Sequence, residues 1–468
     1  MYDFAIVGSG VSGGRVAYEL TKGGAKCLLL EAGREFGKNT FPKNEMDYST
    51  QLFWGGGLEV TTGGNIGLLR AKCLGGTSIV NQALLDRFDD LAWSDWRAAS
   101  HIAFFNANTM ADHYDASAKK LKIGSIPVEY YNKNAMVFTR ACNKLGYNWS
   151  PLQRAQADCR LDQGSDCIVC LGGCPRDSKQ SSLVTTIRWA REAGLEVRSE
   201  FEVVSISPSE SEVRVQGYQG GDQTEVIARQ VVLAAGALGN TGILLRSGLK
   251  SRLPALGKRF ACHPQYMSYA VFDEPIDAHK GAFQSVKSDD KKMRAQGFKL
   301  ENVFAPPIGT AMLMPGFGQK HMKLMKKYRY LASMEVAIRD DASGVITLGS
   351  NGKLKVQKPL TASDREKTER GLATVRELFA AAGAKEVISC TQAFGLHLMG
   401  GCSIGVDGAH SVVDPEFRVH GYKNIFIADS SIFPGAPGIN PSFTIMALSH
   451  RASQEMLQSK SRSLGVAP

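Results

Sequence analysis

Hydrophobic and polar positions follow a recognisable order at the start of the chain. Residues 2–7 form an apolar run typical of a buried strand, residues 15–23 have apolar positions at helical spacing, and residues 26–30 form a second apolar run. A glycine-rich turn, Gly8-Ser9-Gly10-Val11-Ser12-Gly13, joins the first run to the helix. This order predicts a strand–helix–strand unit.

The spacing of the glycines in this turn is that of a dinucleotide-binding fingerprint. Gly8 permits the tight turn, Gly10 lets the backbone approach a pyrophosphate, and Gly13 allows the helix to pack on the strand. The helix N-terminus then faces the phosphates, and Glu31, which ends the second strand, can bond a ribose hydroxyl. These residue types alone do not separate FAD from NAD.

The rest of the chain alternates between glycine-rich, helical and strand-like stretches. Residues 51–85 hold too much glycine for regular elements, which indicates backbone wrapped closely around a ligand. Residues 264–390 carry more charge, Met and Pro, and we assign them to a second domain. The clearest further elements are a helix at 182–193, strands within 196–215, a strand at 230–235, a strand at 424–428 and a helix at 441–457.

Composition and charge exclude several classes of protein. A chain of 468 residues with 43% hydrophobic residues can bury a large core, so it is neither disordered nor a disulfide-stapled miniature. No apolar run reaches the roughly 18 residues of a membrane span, and the early strand leaves no room for a signal peptide, so we expect a cytoplasmic protein. The net charge, 55 − 45 = +10, is spread along the chain, and no nucleic-acid-binding motif accompanies it.

Several ordered motifs together resemble the glucose–methanol–choline (GMC) flavoprotein oxidoreductases. They are Gly8-x-Gly10-x-x-Gly13 with Glu31; Arg70-Ala71-Lys72-Cys73-Leu74-Gly75-Gly76-Thr77-Ser78 with Asn81; Gly236-Ala237-Leu238-Gly239-Asn240-Thr241; His397-Leu398-Met399-Gly400-Gly401-Cys402; Ala428-Asp429-Ser430-Ser431; and Gly438-Ile439-Asn440-Pro441. The resemblance implies an α/β fold with a discontinuous Rossmann-like FAD-binding domain and a smaller α+β substrate-binding domain.

We expect the following division of the chain from the resemblance and the composition. The FAD-binding domain takes residues 1–100, 156–263 (which include a cysteine-rich segment) and 391–460, a substrate or cap region takes 101–155, and the substrate-binding domain takes 264–390.

The resemblance also implies which residues contact the cofactor. Beside the fingerprint glycines and Glu31, these are Gly75, Gly76, Ser78, Asn81 and, near the flavin ribityl chain, Asp429. An ordinary role for Asp429 is to cap the turn that follows it. Family members with a histidyl-linked flavin have His directly before the Asn of the glycine loop; Val80 stands there, so we expect noncovalent FAD.

The resemblance nominates His397 and Asn440 as a catalytic pair, a His/Asn combination similar to that of cholesterol-oxidase-like members. Oxidation of an alcohol removes a proton from oxygen and a hydride from carbon. An imidazole suits the proton, and an amide can hold the alkoxide while FAD takes the hydride. The alternatives are a structural histidine at 397 and a turn-forming Asn before Pro441. His263 occupies a position where the family often has His, and a structural role is the simpler interpretation.

Four cysteines, Cys159, Cys167, Cys170 and Cys174, form a cluster in the sequence, and the last is followed by Pro175. The C-x-x-C-x-x-x-C-P run matches the end of a bacterial ferredoxin motif, which favours an iron–sulfur cluster (3Fe–4S or 4Fe–4S). A structural zinc site and unliganded or disulfide-bonded cysteines remain alternatives. A GMC subset with a cysteine-rich insertion supports the first interpretation by resemblance.

The expected function is FAD-dependent oxidation of a small-molecule alcohol, with electrons relayed through the cluster to an acceptor protein. The alternatives are an oxygen-using alcohol oxidase without a cluster and a non-redox FAD-containing lyase of the same family. The substrate is not identified. Scattered apolar residues hint at an apolar pocket lining, although such residues more often belong to a core: Phe298, Phe304, Met312, Met314 and Phe317.

Overall fold

The computed structural model describes residues 1–163, 167–282 and 284–463, and at 167–169 and 461–463 it describes the backbone alone. The strands are β1 Tyr2–Val7, β2 Cys27–Leu30, β3 Glu59–Val60, β4 Ile66–Leu68, β5 Ile123–Gly124, β6 Trp149–Pro151, β7 Arg154–Ala155, β8 Glu196–Arg198, β9 Phe201–Pro208, β10 Val213–Gln219, β11 Asp222–Leu233, β12 Gln265–Val271, β13 Val286–Ser288, β14 Phe298–Asn302, β15 Leu331–Ile338, β16 Val345–Leu348, β17 Leu354–Gln357, β18 Glu386–Ser389, β19 Ala393–Gly395 and β20 Ile425–Ile427. The helices are α1 Val11–Lys22, α2 Glu45–Leu52, α3 Asp90–Ser100, α4 Ala107–Ala118, α5 Lys133–Leu145, α6 Arg188–Glu192, α7 Gly236–Arg246, α8 Lys291–Ala295, α9 Pro307–Leu313, α10 Gly318–Met325, α11 Ala362–Ala381 and α12 Ser442–Ser463.

The first large sheet has the strand order β8-β2-β1-β11-β10-β9, with β20 beside β11. Strands β8, β2, β1, β11 and β20 run parallel, whereas the first half of β11 pairs antiparallel with β10. Apolar residues fill the buried parts of the interior strands, as expected for a parallel sheet covered on both faces: residues 4–7 of β1, all of β2 and residues 231–233 of β11. Helix α1 packs against β1 and β2 of this sheet on one side and against α12 on the other. The dinucleotide turn joins the carboxyl end of β1 to the start of α1.

The second large sheet has the order β3-β4-β19-β12-β15-β14-β13-β6, with β18 beside β12. Its central pairs, β12 with β15 and β14 with β15, are antiparallel. Helix α11 lies against one face, where a Cβ on Gly371 would stand 2.4 Å from Val336 Cγ1. Helix α5 packs beside α11. The opposite face carries Lys299 and Glu301, which both contact Asn440 in the segment before α12.

These elements agree with the main expectations from the sequence. The α/β class and the first strand–helix–strand unit are confirmed, and the predicted strands at 230–235 and 424–428 correspond to the end of β11 and to β20. The helix predicted at 182–193 begins with a π-helical turn, Leu183–Ile187, and continues as α6. Among the described helices, none is long and apolar enough to span a membrane.

Candidate active site

The turn after β1 has the geometry that a pyrophosphate requires. Gly8 has φ +97°, and a Cβ on Gly13 would lie 1.8 Å from the Gly8 carbonyl oxygen, so neither position tolerates a side chain. Around Gly10, in contrast, a Cβ would meet nothing within 4 Å. No side chain caps the N-terminus of α1, which begins at Val11. Open space in front of uncapped helical N–H groups suits a phosphate.

Glu31 lies beside this turn, as predicted. Its Oε2 accepts hydrogen bonds from Ser9 Oγ (2.6 Å) and Ser9 N–H (3.1 Å), and its Oε1 accepts from Gly33 N–H (2.8 Å). Burial raises the pKa of Glu31, while these donors oppose the shift. The carboxylate therefore organises the turn; its bond to a ribose stays a prediction.

The glycine loop at 75–81 closes over the same turn. A Cβ on Gly76 would stand 2.8 Å from Gly10 Cα, and Ser78 Oγ donates to the Gly75 carbonyl at 2.6 Å. Val11, Ser78 and Asn81 line one small cavity between the loop and α1. The structure thus brings Gly8, Gly10, Gly13, Gly75, Gly76, Ser78 and Asn81 together, and their cradle fits the FAD that the resemblance implies.

Asp429 is fully engaged by protein donors. Its Oδ2 accepts from Gly236 N–H (2.6 Å) and Asn240 Nδ2 (2.9 Å), and its Oδ1 accepts from Ser431 N–H (2.8 Å) and Ser431 Oγ (2.6 Å). It therefore ties the start of α7 to the segment after β20, which is the capping role. A contact with the flavin stays a prediction.

His263 and His397 form a hydrogen-bonded pair. Their Nδ1 atoms are 3.1 Å apart, and Gly438 N–H donates to His263 Nε2 at 2.8 Å. Since His263 Nε2 accepts, a neutral His263 carries its proton on Nδ1 and donates to His397. A neutral His397 then accepts at Nδ1 and carries its own proton on Nε2. The tautomers of both rings follow from these two contacts.

The surroundings favour the neutral form of both histidines. Desolvation lowers the pKa of His397, and the positive charge of Lys299 lowers it further. Desolvation also lowers the pKa of His263, with His397 and Lys299 adding to the effect. The Asp340 carboxylate holds the backbone here by accepting His263 N–H at 2.9 Å.

Asn440 stands in a buried ionic network. Its Nδ2 donates to Asp86 Oδ2 (2.9 Å) and Glu301 Oε1 (3.0 Å), and its Oδ1 accepts from Lys299 Nζ (2.8 Å). Lys299 also pairs with Glu301 Oε1 at 2.5 Å, and Lys287 pairs with Asp86 Oδ1 at 2.5 Å. Both amide hydrogens of Asn440 are thus used by carboxylates, so the network fixes the amide in one orientation.

Sequence analysis missed Asp86, Lys287, Lys299, Glu301 and Glu335. One signal was available: Lys299-Leu300-Glu301 alternates charged and apolar residues within a strand, which puts both charges on one face. The hint of an apolar pocket lining stays a prediction. Phe298, Phe304 and Met314 belong to the buried core around the second sheet, where the Phe304 ring packs against Tyr269, whereas Met312 and Phe317 are exposed, Phe317 by 91%.

The cysteine cluster is described in part. Cys159 and Cys174 form no disulfide with any residue that the structure describes, and Cys159 Sγ lies 3.1 Å from Ser178 Oγ, while the side chain of Cys167 lies outside the described residues. Burial raises the pKa of Cys159. Among the side chains that the structure describes, no group of three or more His, Cys, Asp or Glu could hold a metal ion. The described part alone does not form a metal centre.

Lys179 connects this cysteine segment to the glycine loop. Its buried ammonium donates to the carbonyl oxygens of Ile79 (2.5 Å), Asn81 (2.7 Å) and Cys170 (2.6 Å). Desolvation lowers the pKa of Lys179. The cysteine segment therefore packs directly against the predicted flavin-contacting loop.

Comparison with known proteins decides the family. Residues 49–265 and 340–449 match the two GMC oxidoreductase family models, and residues 6–61 match an NAD(P)-binding Rossmann-like domain. The chain belongs to the GMC oxidoreductase family. It is therefore an oxidoreductase with a mixed α/β fold, as the sequence predicted.

Two curated relatives and one solved structure illustrate the match. An uncharacterised GMC-type oxidoreductase of Mycobacterium tuberculosis (strain ATCC 25618 / H37Rv) is 26% identical over 476 residues, which cover 95% of this chain and 74% of the relative. A long-chain-alcohol oxidase of Arabidopsis thaliana is 26% identical over 515 residues, covering 98% and 67%. Formate oxidase from Aspergillus oryzae RIB40, studied for the modification of its FAD, aligns with a TM-score of 0.71 at 15% identity and covers 99% of each chain. The GMC cofactor FAD agrees with the cradle described above.

Proposed function

We propose that this GMC oxidoreductase oxidises the CH–OH group of a small alcohol, with His397 and Asn440 as the catalytic pair. The observation that carries the proposal is that Lys299, which bonds to Asn440, also acts electrostatically on His397, whose ring bonds to His263. FAD, when bound, supplies the acceptor for the hydride. The domain boundaries given above are part of this proposal.

The tautomers support a specific division of labour. His397 Nε2–H donates to the substrate oxygen, and His263 is a positioning residue that holds the ring of His397. This donor role differs from the base role expected from the sequence. The hydroxyl proton then passes to a carboxylate, and we propose Glu301 because it contacts both Asn440 and Lys299. Lys299 stabilises the negative charge that develops on the oxygen.

Two substitutions separate the donor role from the base role. His397→Gln keeps an N–H donor but has no basic nitrogen, whereas His397→Ala has neither. We expect flavin reduction by an alcohol, followed anaerobically, to be about 10-fold faster in the Gln variant than in the Ala variant, because one hydrogen bond to a developing charge survives. If the rate of flavin reduction falls equally in both variants, with FAD still bound, the base role belongs to His397.

The route of the electrons after the flavin is a second proposal. We propose an iron–sulfur cluster on Cys159, Cys167, Cys170 and Cys174 that passes electrons to an acceptor protein, supported by the sequence spacing and by the Lys179 link between Cys170 and the glycine loop. Direct reaction with oxygen is the alternative route. We also propose noncovalent FAD and a cytoplasmic location.

Iron and acid-labile sulfide assays on anaerobically purified protein test the cluster. We expect about three or four iron atoms per flavin. Cys174→Ser should lower the iron content, whereas Cys142→Ser, which changes a buried cysteine of α5, should leave it unchanged. A wild-type protein with flavin but without iron and sulfide would contradict the cluster and favour oxygen as the acceptor.

A further inference from the structure

The face of the second sheet that meets the catalytic pair has a defined pattern of side chains. Directly paired residues on neighbouring strands share a face. The pairings join Lys287 to Glu301, Glu301 to Glu335, and Glu335 to Met267 in one row. A second row joins Lys299 to Ala337 and Ala337 to Gln265. Since Lys299 and Glu301 contact Asn440, both rows form the floor of the site.

Glu335 is a buried carboxyl group on this floor. The residue is 6% exposed, and no hydrogen bond from the residues that the structure describes reaches its carboxyl group. Desolvation raises the pKa of Glu335 to about 8, with a contribution from the negative charge of Glu301, while Lys299 opposes the shift. A carboxyl group buried in this way favours a polar partner over an apolar one. Glu335 therefore offers a hydrogen-bond acceptor to a polar group that lies over the floor.

Gln265 provides an independent observation on the second row. The residue is 4% exposed, and its Oε1 is buried without any hydrogen-bond partner in the described structure. Gln265 follows His263 by two residues, and it pairs across the strands with Phe394, three residues before His397. The floor therefore offers a carboxyl group and an unsatisfied amide oxygen, on adjacent strands, beyond the groups that engage Asn440.

We infer that the substrate is a small polar alcohol with a second hydrogen-bond-donating group, a hydroxyl or an ammonium, which Glu335 and Gln265 bind while the reacting hydroxyl lies at His397. An alkyl chain or a sterol over the same floor would leave both groups without a partner, at a cost in binding. The inference rests on the proposed function and adds the substrate class. The second group is unchanged: only the CH–OH carbon is oxidised to a carbonyl, with its hydride passing to FAD and its proton to Glu301.

Three alcohols of equal chain length test this inference. Propanol, propanediol and aminopropanol are compared by the rate of anaerobic flavin reduction per unit concentration. We expect the diol or the amino alcohol to exceed propanol at least about 10-fold, the ratio that one hydrogen bond gives. Octanol should be no better than propanol. Equal or faster reduction by the monohydric alcohols would overturn the inference.

Variants assign the preference to the floor. Glu335→Leu should remove the advantage of the polar substrates, whereas Met334→Leu, which changes the adjacent buried residue on the opposite face of β15, should keep it. Glu335→Gln should keep the advantage of the diol and lose that of the amino alcohol, because an amide binds a hydroxyl but cannot pair with an ammonium. Retention of the whole preference in Glu335→Leu would also overturn the inference.

A binding measurement separates this inference from the proposed function. Thermal unfolding of the FAD-loaded protein is followed with each of the three compounds. A higher unfolding temperature with the diol or amino alcohol than with propanol is expected even if no compound reduces the flavin, an outcome that would overturn only the proposed oxidation. If the three compounds shift the unfolding temperature equally, or do not shift it at all, the polar site itself is overturned.

Discussion

At the scale of single residues, the proposed chemistry depends on side chains whose proton position or orientation is fixed by their neighbours. Gly438 and His263 determine which nitrogen of His397 carries a proton, and the carboxylates of Asp86 and Glu301 fix the Asn440 amide. The sequence predicted His397 and Asn440 through motifs close to each other in the chain. Their partners lie on other elements, and no local pattern links them, so only the fold reveals the network.

The protonation of Glu335 gives a stability prediction. A carboxyl group whose pKa is raised on folding stabilises the folded state at low pH and loses that contribution as the pH rises through the folded value of about 8. Glu301 and Lys299 are the charged groups that act on it. Between about pH 5 and pH 8, the free energy of unfolding of the wild type should therefore fall by roughly 1–4 kcal/mol more than that of Glu335→Gln.

Thermal unfolding across this pH range checks the prediction. The unfolding temperature of the wild type should fall more steeply than that of Glu335→Gln, and the two proteins should differ most at the alkaline end. Parallel curves would mean that Glu335 is already ionised in the folded protein.

At the scale of elements, the strand–turn–helix unit was predictable because its glycines and apolar runs are local. The close approach of the glycine loop to the turn was not, since Gly76 and Gly10 lie far apart in sequence. The π-helical start at Leu183–Ile187 also escaped prediction, because apolar spacing does not distinguish it from the α-helix that follows.

A matched pair of glycine substitutions tests the cradle. Gly76 (φ +53°) and Gly64 (φ +66°) both have left-handed backbone, so substitution by alanine should lower the stability of the protein by a similar amount at each site, about 1–2 kcal/mol. Only at Gly76 would the new Cβ meet backbone, at 2.8 Å from Gly10 Cα; at Gly64 it meets nothing within 4 Å. Gly76→Ala should therefore lose FAD, whereas Gly64→Ala should retain it.

The ratio of flavin absorbance to protein absorbance after purification measures this difference. Equal FAD content in the two variants would show that the contact between the glycine loop and the turn does not shape the cofactor site.

At the scale of the whole molecule, two sheets built from scattered stretches of chain enclose the site. In the second sheet, β4 pairs with β19, although more than 300 residues separate the two strands in the sequence. Strand β20 joins the first sheet near the end of the chain. Hydrophobic patterning indicates strands, but it does not say which sheet each one joins. The resemblance to the family indicated the overall arrangement. The polar floor could be recognised only from the pairing of β12 with β15 and of β14 with β15.

The central claim is that the protein oxidises alcohols through a bound flavin, and anaerobic titration of the purified holoprotein tests it most directly. Addition of a polar alcohol such as propanediol should bleach the oxidised flavin and yield one carbonyl product per flavin reduced. An oxidised flavin that no alcohol bleaches, in a protein that dithionite still reduces, would contradict the claim and direct attention to the non-redox alternative.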